Sequence, residues 1–280
     1  MRFRRAADDA VIVIAGLLVG GALLAPWLAP HDPFAGALAD RLLPPSWLSG
    51  GDARYLLGTD VLGRDILSRL LYGARVSLLV ASLAVLAAGA VGSAIGICAG
   101  YVGGWLDSVL MRIVDLAISL PMILIALLVG VIVGPSLTNI VVIIGVMLWS
   151  PFARMARNET LRVSRLSYVD LARTAGVSPL TIAIEHVLPN VAPPLIVLGT
   201  LQVGTVIIME ASLSFLGVGV PPPAPAWGTM IAEGRSYVLS AWWICIFPGL
   251  AILSTVLVAN LLGDGLAERL DPGRRPERTL

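Results

Sequence analysis

The chain has 280 residues, of which 57% are hydrophobic and 13% charged, with a formal net charge of +1. A water-soluble domain needs a larger polar surface, so the composition defines an integral membrane protein, and the near-neutral balance excludes a broad basic face for nucleic acid. All 19 basic residues are arginine, which excludes lysine chemistry and the lysine of a P-loop; ATP hydrolysis by the usual route is therefore not expected of this chain. Cys98 and Cys245 both sit in apolar runs, which suits buried packing better than a disulfide or a metal site.

Residues 1–9 form a polar N-terminus carrying Arg2, Arg4 and Arg5. Residues 10–30 are expected to hold the first transmembrane helix, because 10–28 is apolar throughout and about 20 such residues cross a bilayer. A basic stretch followed by an apolar one also fits a cleaved signal peptide. The run is long for that, and an even number of spans needs it, so a retained span is expected. Residues 31–73 read as a long external loop. His31 reads there as a surface residue, with no cluster of His, Cys or carboxylates beside it in sequence. From Leu57 to Leu78 a turn becomes an amphipathic helix. Ile66, Leu67, Leu70 and Leu71 share one face, while Arg64, Asp65 and Arg69 fall elsewhere. The pattern predicts an interfacial lead-in to the next span.

Five further helices are expected within residues 74–263. In the second span, 76–99, Gly89, Gly92 and Gly96, continued by Gly100, recur at three- and four-residue spacing, a surface that lets another helix approach closely; the sequence leaves open whether that helix is in this chain. Arg112 and Asp115, at i, i+3, suggest a mutual pair at the membrane interface, with a substrate role as the alternative. The third span, 113–133, should bend at Pro121. The fourth starts at 137–149 and passes Pro151 into a helix bearing Arg154, Arg157, Arg162 and Arg165, a positive cytoplasmic face.

The semi-polar stretch 167–194 predicts helix, glycine bend, helix, within a cytoplasmic loop spanning 158–193. Ser167 with Asp170 fits a helix start, Gly176 suits the left-handed geometry that ends a helix, and Ser178 with Pro179 reads as the N-cap and first turn of a second helix stopping at Pro189. Pro193 and Pro194 then open the fifth span, 195–216. Glu210 lies well inside it, and two readings compete: a pathway or gating residue, or a structural acceptor for a neighbouring helix. Residues 217–240, with Pro221, Pro222, Pro223 and Pro225, read as an outer segment; Trp227, Tyr237, Trp242 and Trp243 predict an interfacial aromatic belt. The sixth span, 241–262, should break or bend at Pro248, and 264–280 is a cytoplasmic tail. Six spans place both termini on one side. Arg2, Arg4, Arg5, Arg112, Arg154, Arg157, Arg162, Arg165, Arg173 and four C-terminal arginines then lie inside, against Arg41, Arg54, Arg64, Arg69, Arg75 and Arg235 outside, as the positive-inside rule asks.

Asp170, Ala172, Gly176, Leu188 and Pro189 fall at the spacing of the EAA---G---------I-LP loop of ABC importer permeases; Asp170 stands where Glu is usual, Leu171 where Ala is usual, and His186 where Ile is usual. The strings LGTD-x-x-GRD-x-x-SRLLYGAR-x-SL from Leu57, MRIVDLAISLP from Met111 and EASLSFLG from Glu210 closely resemble the C-type permease of dipeptide, oligopeptide and nickel ABC importers. The resemblance covers nearly the whole chain from about His31. It implies an all-α membrane protein with six transmembrane helices in the type I ABC importer permease fold, resident in the bacterial inner membrane. It implies a B-type permease as heterodimer partner, two ATPase subunits that bind ATP and Mg, and an extracytoplasmic substrate-binding protein. It assigns Asp170, Leu171, Ala172, Gly176, Leu188 and Pro189 to a cytoplasmic coupling helix, with no catalytic residue and no cofactor in this chain. The expected cargo is a di- or oligopeptide; nickel or another small solute is the alternative. A stand-alone secondary transporter fits less well, because Glu210 is the one deep charge and no internal repeat is evident.

Overall fold

The computed structural model describes residues 2–270, with side chains from Ala10 onward. Met1, the side chains of Arg2, Arg4 and Arg5, and the tail 271–280 with Arg274, Arg275 and Arg278 lie outside the described residues. Among the described residues the regular backbone is helical, apart from one isolated bridge between Thr59 and Asp65. Hydrocarbon offers no partner to a free N–H or C=O, so spans whose bonds close internally are the outcome these apolar runs allow.

Helix α1 is Arg2–Leu23, followed by the short α2, Ala25–Leu28. Among the described residues, four helical stretches are long and apolar enough to cross a membrane: α3 (Ile66–Val102), α6 (Leu137–Val163), the stretch Pro179–Phe215, and α11 (Trp243–Leu270). A fifth span exists only if α4 (Gly104–Ser119) and α5 (Met122–Val133) count together. The sixth expected span rests on α1, whose apolar part, Ala10–Leu23, is shorter than a crossing. Shorter helices include α7 (Ser167–Thr174) and α10 (Trp227–Gly234). Pro121 does more than bend its span: Leu120 before it is extended, at φ −80° and ψ 138°, as the residue preceding a proline prefers.

Two compact units emerge, each discontinuous in sequence. One comprises Met1–Leu83, Ile123–Ile144 and Val203–Ala259; the other comprises Ala84–Met122, Gly145–Gln202 and Asn260–Leu280.

In the first unit the expected lead-in helix is corrected. It is the start of α3 and the two residues before it, and its charged residues do not face water: Arg64, Asp65 and Arg69 are nearly inaccessible, as is Ile66 of the apolar face, while Leu67, Leu70 and Leu71 are half-buried. The reason is ionic pairing. Arg64 Nε donates to Asp60 Oδ2 at 2.6 Å, Arg69 Nη1 donates to the same oxygen, and both arginines reach Glu233 Oε2 on α10, at 2.8 and 2.9 Å. Charges are buried at such a site only when paired and hydrogen-bonded. His31 is likewise not a free surface residue. Its ring lies 4.9 Å from that of Tyr55, its Nδ1 is 3.6 Å from Asp65 Oδ2, and its backbone N–H donates to Ser68 Oγ. Two members of the expected aromatic belt are interior: Trp227 and Trp243 are buried, and their indole N–H groups donate to the carbonyls of Leu70 (3.1 Å) and Thr59 (3.0 Å).

In the second unit the glycine stripe meets its partner within the chain. A Cβ at Gly92 would run into the Trp149 carbonyl, one at Gly96 into the Ala153 carbonyl, and one at Gly100 would lie 2.9 Å from the Arg157 carbonyl. Both sets advance by four residues, so α3 and α6 lie backbone to backbone along one ridge of each. Cys98, on another face of α3, is exposed rather than packed inside. The expected Arg112–Asp115 pair does not form: Asp115 accepts from Arg154 Nη2 on α6 at 2.6 Å, and Asp107 accepts from Arg157. Helix α11 runs through Pro248 without the expected break and continues to Leu270, so residues 264–270 are helical. Gly96→Leu is expected to lower stability by about 1–3 kcal/mol or more, because neither backbone can withdraw without unpacking the other. Thermal unfolding in detergent reads the effect, with Gly16→Leu, where the added Cβ meets nothing within 4 Å, as the neutral control.

Candidate functional site

The residues assigned to coupling are held in the second unit by α7 and the helix that follows it. Helix α7 begins one residue earlier than the capping pattern suggests: Leu166 is the N-cap, its side chain makes no cap bond, and Ser167 is the first helical residue. Asp170 does not close a capping box. It sits in the first turn, where a carboxylate complements the helix dipole, and accepts from Arg173 Nη1 at 3.3 Å.

Gly176 ends α7 at φ +77°. Its N–H donates to the Arg173 carbonyl at 3.0 Å, and the Val177 N–H reaches back to the Ala172 carbonyl at 3.1 Å. Those two bonds are the Schellman closure, so Ala172 and Gly176 are the two ends of one turn. An added Cβ at Gly176 would meet nothing within 4 Å, so the backbone angle alone demands glycine here. Ser178 then caps the next helix through its side chain, accepting from the Thr181 N–H at 3.2 Å, with Pro179 in the first turn.

That helix does not stop at Pro189. It runs as α8 (Pro179–Thr181), a π-helical turn (Ile182–Val187) and α9 (Leu188–Phe215), with Pro189, Pro193 and Pro194 all inside. The physical account lies in the π turn. The Leu188 N–H donates to Ala183, five residues back, so the turn is widened just where the ring of Pro189 would otherwise strike the preceding carbonyl. Tyr168 on α7 braces the junction. Its ring meets His186 edge to face at 6.0 Å, and its hydroxyl accepts from Asn190 Nδ2 at 3.1 Å. No signal in the chain singled out Tyr168 or Asn190; their part depends on the π turn.

Val169, Ile182, Val187 and Val191 are buried and anchor the elbow. The opposite side is open and apolar. Leu171 is 69% exposed and Leu180 70%, and Leu180, Ile184 and Leu188 recur every four residues as an exposed stripe. Pro189 is exposed beside them.

Glu210 belongs to the first unit and lies apart from these residues in the chain. It is fully buried, and each carboxylate oxygen has a hydroxyl donor: Ser77 on α3 at 3.0 Å and Ser214 one turn along α9 at 2.7 Å. Ser214 Oγ also accepts from the Val220 N–H at 3.3 Å. Asp115 and Arg154 form an exposed pair. Among the described residues, no group of three or more His, Cys, Asp or Glu side chains is placed to hold a metal ion.

Apolar spans joined through a braced, exposed elbow define a multi-pass membrane protein. Residues 92–276 match the family described as the binding-protein-dependent transport system inner membrane component. The chain is 44% identical over 256 residues to the di/tripeptide transport system permease protein DppC of Pseudomonas aeruginosa, covering 91% of this chain and 84% of that one. It is 42% identical over 264 residues to the probable D,D-dipeptide transport system permease protein DdpC of Escherichia coli, covering 94% and 86%. An inward-facing structure of the MetNI methionine ABC transporter superposes with a TM-score of 0.61 at 19% identity, over 74% of this chain and 98% of that chain. The protein belongs to the family of inner-membrane components of binding-protein-dependent transport systems, and it has the type I ABC importer permease fold.

Gly176→Ala is expected to strain the elbow by about 1–2 kcal/mol, the cost of a left-handed backbone with a Cβ, and Gly176→Asn by less. Hydrogen exchange of the Gly176 and Val177 amides in the reconstituted protein checks this: exchange should quicken in the alanine variant and change little elsewhere.

Proposed function

We propose that this chain is one of two transmembrane subunits of an ATP-driven importer of di- and tripeptides, and that the elbow of residues 167–189 docks on an ATPase subunit. The observation that carries the docking is the exposed apolar stripe Leu180, Ile184 and Leu188, with Leu171, on a bend fixed by Gly176. An apolar surface of that kind, braced from behind, is what a protein partner covers. The permease names borne by relatives at 42–44% identity support the peptide cargo. The heterodimer partner is a B-type permease; two ATPase subunits bind ATP and Mg, and an external binding protein delivers the peptide. Asp170, Leu171, Ala172, Gly176, Leu188 and Pro189 pass the movement of the ATPases to α9, and alternating access follows from the different affinities of the two states for nucleotide.

The proposed topology has six spans with both termini inside. The outer arginines weigh less than their number, since Arg64 and Arg69 are buried in pairs and Arg54 is held by Asp40 and Asp52. Glu210 acts as a structural acceptor joining α3, α9 and the segment after it, because a carboxylate with a hydroxyl on each oxygen has little left for cargo.

Two measurements test these assignments. Leu180→Asp with Ile184→Asp should leave insertion intact and reduce co-purification of the ATPase at least tenfold. Retained ATPase with full peptide uptake in proteoliposomes would remove the docking role. Glu210→Gln should cost about 1–3 kcal/mol of stability, and uptake should fall only as far as the folded yield does. Full yield with uptake abolished would instead make Glu210 a pathway residue.

A further inference from the structure

Beside α10 in the first unit lies a cleft of about 200 Å³ lined by Pro135, Phe215, Val220, Pro221, Ala232 and Glu233, among others. That is below the ~300–1,000 Å³ of sites for drug-sized ligands and suits one or two small residues. Its walls are apolar, and its polar side chains are mostly committed. Ser214 Oγ serves Glu210 and the Val220 N–H, and Thr229 Oγ1 is bonded to the Ala226 backbone. Glu233 differs. Both arginine bonds fall on Oε2, from Arg64 Nη2 at 2.8 Å and Arg69 Nη1 at 2.9 Å, and its side chain stays 24% exposed.

We propose that Glu233 offers Oε1 to the primary ammonium group of a small zwitterionic ligand seated in this cleft. The ligand class rests on the peptide reading above. Three features carry the assignment. The carboxylate is held from behind by two arginines that are themselves fixed on the saturated Asp60, so the acceptor is in place before any ligand arrives. The network of Asp60, Glu233, Arg64 and Arg69 sums to zero charge, so Oε1 is a directional acceptor on an apolar wall rather than one end of an acidic patch. A lone carboxylate with apolar neighbours cannot complete the oxygen shell of a metal ion, whereas an ammonium can give one of its three N–H donors to Oε1 and the others to water at the open side of the cleft. A counter-charge is also at hand: the Arg235 guanidinium lies 5.6 Å over the ring of Phe215, which lines the cleft, and suits the carboxylate end of the same ligand.

Saturation-transfer NMR on the permease pair with its ATPases in nanodiscs, without binding protein, tests the site with dialanine and N-acetyl-dialanine. Dialanine should receive saturation from the wild-type complex and at least fivefold less from Glu233→Gln, while the acetylated peptide, which lacks the ammonium, should receive little from either. Ala232→Trp fills the cleft and leaves the arginine pairs untouched; it should abolish the dialanine signal, and it carries the test if Glu233→Gln does not assemble. Equal transfer to both peptides, or an unchanged dialanine signal in either assembled variant, overturns the proposal. Uptake of dialanine by the wild-type complex with its binding protein is measured alongside. Absence of uptake counts against the peptide reading, whereas uptake with saturation unaffected by the variants counts against Glu233 alone.

Discussion

Every backbone N–H and C=O that enters the hydrocarbon must find its partner inside the protein, and most of this structure follows from that demand. It makes α3 a single helix of 37 residues where the hydropathy pattern suggests a surface helix and a separate span. It also decides how the prolines are carried. Pro151 and Pro248 lie within otherwise continuous helices, and Pro189 follows a π turn whose wider winding makes room for its ring. Where the chain does reverse, at Gly176, the last carbonyls of α7 are closed by the N–H groups of Gly176 and Val177 rather than left open.

The same demand applies to side chains, and the two units meet it differently. In the first, charge is buried and matched with charge, as Asp60, Arg64, Arg69 and Glu233 show, and Glu210 is quenched by hydroxyls. In the second, the helices approach through glycine and leave their ion pairs towards the surface. A buried ionic cluster is weak support for net stability, but breaking one partner strands the others, so it specifies a single arrangement of α10 against the start of α3.

Local rules carried the sequence reading a long way. The cap at Ser178 and Pro179, the left-handed Gly176 and the glycine stripe depend on a few neighbouring residues, and all are present where the pattern puts them. The failures share a cause. Amphipathic reading assumes that charge faces water and turns Arg64, Asp65 and Arg69 outward; the partners of the two arginines, Asp60 and Glu233, include one that is 169 residues away from Arg64. The sequence predicts a stop at Pro189 because a π turn has no sequence signature of its own. Trp227 and Trp243 looked interfacial because nothing nearby announces that the carbonyls of Leu70 and Thr59 wait for their indoles. Asp115 was paired with its helical neighbour when the better-placed guanidinium belongs to Arg154.

The division into two units has a consequence for how the protein is made. The first unit is assembled from Met1–Leu83, Ile123–Ile144 and Val203–Ala259, and the second from pieces that end still later. Neither can close its packing until the ribosome has delivered nearly the entire polypeptide. A half-built intermediate must therefore wait with Arg64 and Arg69 still lacking Glu233, although the glycine stripe of α3 can already meet α6.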